Sequence, residues 1–353
     1  MVDQQVGIGI VGSGLMGGVY AATLSDGVPD AQLAAVTGGR QAPQLAEAYA
    51  VDHVPTLEGL LTRQDVDAVI LATPHSVHLE QVLLAAEAGK HILVEKPMAL
   101  SADECQRMIL ACRKAEVVLT VGHITRWMEA ARIARQMIND GEIGDVRMIQ
   151  AWRTMSGGLP FPEGSRAFDP DEGGPFLDWG SHGCDVMRWY AGAEAVSAYG
   201  HYTTYGSPVG VSPTAMAQFA FANGVLAQVW MSYELPHAAM GARARYWVVG
   251  SRAILDISAY GQLLRSRDDG TWDVIYRSPD FAGADAGWGY PSAYLSDAFR
   301  RQVGDLVRAV CQGTELMVTA EDGLRAVEMV EAVERAAIGG VAVQLPLVDT
   351  RLG

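Results

Sequence analysis

The chain has 353 residues, enough for two domains with separate cores, and its 49% apolar and 19% charged residues suit a compact globular fold rather than disorder. With 26 basic and 41 acidic residues the net charge is −15 and no Lys/Arg tract is clustered, which sets nucleic acid aside as a partner. The opening "MVDQQVGIGIVG" lacks a basic leader, and no later stretch reaches the roughly 18 apolar residues of a membrane span, so a cytoplasmic protein with no membrane partner is expected.

The first element predicted is a short apolar strand, "VGIGIV" (6–11), ended by "GSGLMGG" and followed by the helical "VYAATLS". Gly12, Gly14 and Gly17 form G-x-G-x-x-G in that strand–turn–helix setting. The first glycine allows the turn, the second lets backbone approach a pyrophosphate, and the third permits close helix packing. Gly12, Ser13, Gly14, Leu15, Met16 and Gly17 are therefore the expected dinucleotide-binding segment. Further apolar strands are predicted at 33–37, 67–73, 91–96 and 117–122, with amphipathic stretches between them, which is the pattern of a doubly wound parallel sheet. Gly89 should close one helix, and Ser101 with Glu104 makes a capping box opening another. Residues 1–125 are read as a Rossmann domain.

The second strand ends "AAVTGGR", with Gly38 where a carboxylate for an adenosine ribose would be expected and Arg40 two residues on. Without the carboxylate a 2′-phosphate is not repelled, and a guanidinium can pair with it. NADP(H) is favoured, and NAD(H) remains possible.

From about residue 126 the alternation stops. A helix at about 128–140, a strand at about 146–153 and a helix carrying "DWGSHGCD" (178–185) precede several strands between 195 and 260, with a turn at "ANG" (222–224). Helices at about 292–312 and 320–338 close the chain. Residues 126–353 are read as an α+β domain with a large, mostly antiparallel sheet. Asp178 and His182 are four apart and share a helix face with Asp185 and Trp189. Gly180 and Gly183 each cost roughly 1 kcal/mol relative to Ala in a helix, so something is expected to come close to that backbone. Arg126, Trp127, Trp152, Arg153, Arg166, Trp179 and Asp185 are candidate substrate-pocket groups, because Trp faces stack on sugar C–H surfaces. Cys105, Cys112, Cys184 and Cys311 form no C-x-x-C pair, and reduced thiols with no metal site are expected.

The strings "GSGLMGG", "ATPHSVHLEQVLLAAEAGKH", "ILVEKPMALS" and "DWGSH", with "VGHITRWMEAARIARQMINDGEIGDV" and the closing helices, resemble the glucose–fructose oxidoreductase/inositol dehydrogenase family, Gfo/Idh/MocA. The resemblance spans essentially the whole chain. It implies a catalytic lysine at Lys96, a substrate-contacting aspartate at Asp178 and an acid/base histidine at His182. It also implies cofactor contacts around Thr73, Pro74 and the Glu95-Lys96-Pro97 segment, with His78 in the histidine position of "TPxxxH". His75 stands where the family often has Asn, either contacting cofactor or capping the helix. The implied activity is hydride transfer between nicotinamide and a secondary alcohol or ketone of a sugar, polyol or cyclitol. Alternatives are a redox-assisted NAD-dependent glycoside hydrolase, a dehydrogenase of a cyclic dihydrodiol or hemiacetal of an aromatic acid, and a catalytically silent nucleotide sensor, against which Lys96, Asp178 and His182 argue. The family's open sheet face further implies a homo-oligomer, a dimer or tetramer formed through the C-terminal sheet.

Overall fold

In the computed structural model, residues 5–156, 168–205, 211–235, 243–259, 261–281 and 292–348 are described. They form two compact units. The first holds the described residues up to Ile124 together with Ser296–Leu324, and the second holds Thr125–Leu295 and the described residues from Arg325. Residues 296–324 thus lie with the nucleotide-binding sheet, not with the rest of 126–353, because Phe299 and Gln302 pack on Tyr20.

The first unit is a six-stranded parallel sheet made of β1 (Val6–Val11), β2 (Ala31–Thr37), β3 (Asp52–His53), β4 (Ala68–Leu71), β5 (His91–Val94) and β6 (Leu119–Val121). Its order is β3-β2-β1-β4-β5-β6, so the strand order reverses between β1 and β4. Ligands of such sheets bind beyond the carboxyl ends of the strands at that reversal. β1 and β4 are buried along their whole length, as strands covered on both faces must be. Helices α1 (Leu15–Ser25), α2 (Ala42–Ala48), α3 (Leu57–Leu61), α4 (His78–Glu87) and α5 (Ala102–Lys114) connect them. The Ser101 hydroxyl accepts from the Glu104 N–H at 3.2 Å, and the Glu104 carboxylate reaches back to the N–H of Leu100 at 3.0 Å.

The second unit is built on a nine-stranded sheet. Its strands are β7 (Val146–Ser156), β8 (Ala195–Thr203), β9 (Thr214–Phe221), β10 (Leu226–Leu235), β11 (Arg243–Gly250), β12 (Ile254–Ser258), β13 (Gln262–Ser266), β14 (Trp272–Arg277) and β15 (Val343–Gln344). The order is β14-β13-β12-β11-β7-β10-β9-β8-β15, antiparallel except for the pair β7 and β10. Strand alternation places Ile149, Ala151, Val229, Ala217 and Val248 on one buried face. Helices α6 (Glu129–Asn139) and α7 (Gly174–Ala191) cover that face, α7 lying against β7, β10 and β9. The opposite face leaves Met148, Met216, Leu226 and Trp247 exposed. Two long helices, α8 (Ala293–Gln312) and α9 (Ala320–Gly339), follow. Among the described residues no helix is long and apolar enough to cross a membrane.

Candidate functional site

The glycine turn of the first unit is shaped for a dinucleotide. Gly12 sits at φ 109°, and a Cβ there would stand 2.4 Å from the carbonyl oxygen of Ala72. A Cβ on Gly17 would meet the carbonyl oxygen of Gly12 at 2.0 Å, so the start of α1 can pack on the turn only without a side chain. Gly14, the N-cap of α1, has nothing within 4 Å of its missing Cβ. No acidic residue occupies the first turn of α1 and no side chain caps it, so its N–H groups are left for an anion. Leu15 is exposed, whereas Ser13 is buried and its hydroxyl accepts from the Gln41 N–H at 3.1 Å, binding the β1 and β2 turns together. Gly38 and Gly39 both adopt positive φ, and Arg40 is exposed.

Lys96 lies two residues beyond β5, partly open between buried neighbours. Its setting is fixed from beneath. The Tyr20 hydroxyl donates to Glu95 Oε1 at 2.6 Å, and Gln302 Nε2 donates to the Tyr20 oxygen at 2.7 Å. Glu95 Oε2 accepts from the Lys96 N–H at 3.0 Å. Burial, reinforced by the Glu95 charge, pushes the Tyr20 phenol far above its usual value, so the proton stays on Tyr20. Glu95 therefore braces the Lys96 loop from inside. His78 is a second brace. It is 0% exposed, its ring nitrogens lie 3.1 Å from the carbonyl oxygens of Pro97 and Thr73, and burial, with the nearby His75, pushes it down to about 4. The neutral ring ties the Thr73 and Pro97 loops together. Thr73 and Pro74 are partly open, and the Thr73 hydroxyl donates to Gln81 Oε1 at 2.6 Å.

In the second unit α7 begins at Gly174, with Pro175 in its first turn, and ends on Gly192 in the left-handed region. Only Asp178, His182, Arg188 and Trp189 of its residues escape burial, and Asp178 and His182 form a half-buried polar strip one turn apart. The glycines between them serve the helix itself. A Cβ on Gly180 would come within 3.3 Å of the Phe176 ring, and one on Gly183 within 3.2 Å of the Trp179 ring. These two aromatic rings are what comes close to that backbone.

The substrate-pocket candidates disperse. Arg126 is 3% exposed and Asp185 0% exposed, and they face each other in a bidentate ion pair of 2.9 and 2.6 Å. Trp127 and Trp179 are buried. Trp152 stands on the sheet face away from α7, its ring edge-on to Trp247 at 4.9 Å, because it alternates with the buried Ala151. Arg153 is on the α7 side, with its guanidinium 6.0 Å from the Tyr233 ring centroid. Arg166 lies outside the described residues. Sequence reasoning missed Tyr20 and Gln302, whose signal is long-range, and Arg135, which shares the Trp189 ring with Arg126. Burial pushes the Cys184 thiol well above its usual value, so it is an inert neutral group.

Residues 6–123 match the model of an oxidoreductase family with an NAD-binding Rossmann fold, and residues 131–256 match the Gfo/Idh/MocA C-terminal domain. The chain is 28% identical to scyllo-inositol 2-dehydrogenase (NAD(+)) of Bacillus subtilis (strain 168), covering 98% of this chain and 97% of that protein. It is also 28% identical to inositol 2-dehydrogenase of Rhizobium meliloti (strain 1021), over 94% of this chain and 96% of that one. A solved structure of levoglucosan dehydrogenase with NADH and levoglucosan shares the fold at a TM-score of 0.84, with 21% identity over 97% of this chain and 100% of the other. Glycine turn, strand order, C-terminal sheet and sequence agree: the chain belongs to the Gfo/Idh/MocA family of oxidoreductases, built on an NAD-binding Rossmann unit.

Proposed function

We propose that the protein transfers hydride between a nicotinamide dinucleotide and a secondary alcohol or ketone of a sugar, polyol or cyclitol, with Lys96, Asp178 and His182 acting on the reacting group. The observation that carries this reading is the half-buried Asp178–His182 strip on a mostly buried helix. The inositol dehydrogenases that share nearly the whole chain support the substrate class. When bound, the nicotinamide would supply the hydride acceptor. Gly12 and Gly14 leave the room and the helix N–H groups that its pyrophosphate needs.

His182 takes the hydroxyl proton during oxidation, since a neutral imidazole accepts a proton near neutral pH. The Lys96 ammonium donates to the same oxygen and stabilises the charge that develops as the C–H bond breaks. Asp178, one turn before His182, accepts from a neighbouring substrate hydroxyl and sets the ring's orientation. Arg40, exposed after two glycines, favours a 2′-phosphate and hence NADP(H). The exposed sheet face bearing Met148, Met216, Leu226 and Trp247 supports assembly with a second copy, checked by the mass of the particle in solution.

The test is the pH dependence of turnover, with sugars and cyclitols oxidised at saturating cofactor and followed at the reduced-nicotinamide band. His182→Asn should lose about 10² to 10⁴ in rate together with the acidic limb of the profile. A variant that keeps both the rate and the limb removes His182 from the reaction.

A further inference from the structure

Phe176 and Asp178 are about 200° apart around α7, given 3.6 residues per turn, so Phe176 faces away from the Asp178–His182 strip. On that side the second unit has an open cavity of about 360 Å³, lined by Pro175, Phe176, Tyr202, Val211, Glu334 and Ile338 among others. Its volume falls within the range of small-molecule sites. Neither Asp178 nor His182 lines it.

Two oxygen-bearing groups in its wall have no hydrogen-bond partner among the described residues. The Tyr202 hydroxyl is buried and makes no hydrogen bond among the described residues. Glu334 likewise has no hydrogen bond or ion pair among them. A buried polar group left unsatisfied costs free energy that a ligand can recover. None of the described lining residues is basic. Phe176 and Tyr202 meet edge to face at 5.1 Å, and Ile338 is 90% exposed at the rim.

We propose that this cavity is a binding site for a small organic ammonium ion, whose apolar part lies against Pro175, Phe176, Val211 and Ile338 and whose N–H groups donate to the Glu334 carboxylate and the Tyr202 oxygen. A carboxylate and two aromatic rings in a half-buried pocket are complementary to an organic cation. Burial, with Glu331 three residues earlier on α9, pushes the Glu334 carboxyl up to about 7, and an ammonium would remove that penalty. The groups facing it from the packed elements are uncharged: the Tyr202 phenol from β8, held neutral by burial and by Glu334, and beyond it the Cys184 thiol from α7. Arg335, next on α9, is exposed and pairs with Glu331. The first turn of α7 opposes this weakly, because a helix start favours an anion. The proposal is independent of the catalytic reading.

Titration calorimetry of the full chain with benzylammonium chloride, benzyl alcohol and benzoate tests it. At pH 8 benzylammonium should bind at least tenfold tighter than the neutral and anionic probes. Its affinity should rise about tenfold from pH 6 to pH 8 as Glu334 ionises around 7. Glu334→Gln should weaken it tenfold or more, and Ala337→Phe, which fills the space without altering charge, should abolish binding; circular dichroism confirms that both fold. No heat with benzylammonium, equal or tighter binding of benzyl alcohol or benzoate, or unchanged affinity in Glu334→Gln overturns the proposal.

Discussion

Asp185→Ala is the most informative single perturbation of the second unit. Asp185 and Arg126 are almost wholly excluded from water and share two hydrogen bonds, so removing the carboxylate strands a guanidinium in the interior. Breaking such a pair from one side costs about 3–5 kcal/mol, which for a unit of this size lowers the melting midpoint by roughly 6–20 °C. Replacing both partners by apolar groups, Arg126→Met with Asp185→Leu, removes the stranded charge and should recover most of the loss, although the Arg126 contact with the Trp189 ring at 5.6 Å is given up. Urea denaturation of the wild type, both single variants and the double variant gives the coupling energy directly. The reasoning fails if Asp185→Ala costs less than about 1 kcal/mol, or if the double variant loses the sum of the single losses.

His78, held at about 4 in the fold, has an ordinary value near 6.5 when unfolded, so the unfolded chain takes up the extra proton between those limits. Its contribution is complete above about pH 6.5 and lost as the pH falls through 4, with about 2 kcal/mol of the loss between pH 7 and pH 5. Urea midpoints at those two pH values should fall more for the wild type than for His78→Gln. Arg40→Ala should weaken NADP(H) about tenfold or more and leave NAD(H) unchanged, measured by cofactor fluorescence titration. Gly38→Asp is the poorer probe, because Gly38 holds φ 78° and a side chain there is strained whichever cofactor binds. Lys96→Ala should cut turnover by roughly 10²-fold while cofactor affinity survives; equal losses in both would make Lys96 a binding residue only.

The fold was legible where the chain repeats a local pattern. β1 coincides with "VGIGIV", and α8 and α9 begin within a residue of their predicted starts. The two-residue β3 went unread because both its residues are exposed on the sheet edge and have no alternation to betray them. β13 and β14 were missed as well, the latter an edge strand with only two half-buried positions. At the candidate site, the helical spacing of Asp178 and His182 was readable, but their neighbours were not. Whether Trp152 faces α7 depends on sheet register, and whether Arg126 meets a substrate or Asp185 depends on a contact 59 residues distant in sequence. Charge and ring size suggest a pocket, and only packing says which side of a sheet they occupy.

The return of residues 296–324 to the first unit constrains how the protein is made. The glycine turn, Glu95 and Lys96 leave the ribosome early, but Gln302, which completes the Tyr20–Glu95 chain, follows only after the whole stretch from Thr125 to Leu295. At about 5–20 residues per second that interval is roughly 10–30 s. For that time Tyr20 and the apolar surface later covered by Phe299 lack that cover on the nascent chain, which makes the unfinished Rossmann sheet the species a chaperone would meet. For the same reason a fragment cut at residue 125 exposes that surface permanently, and excising the nucleotide-binding unit intact requires joining 296–324 back to it.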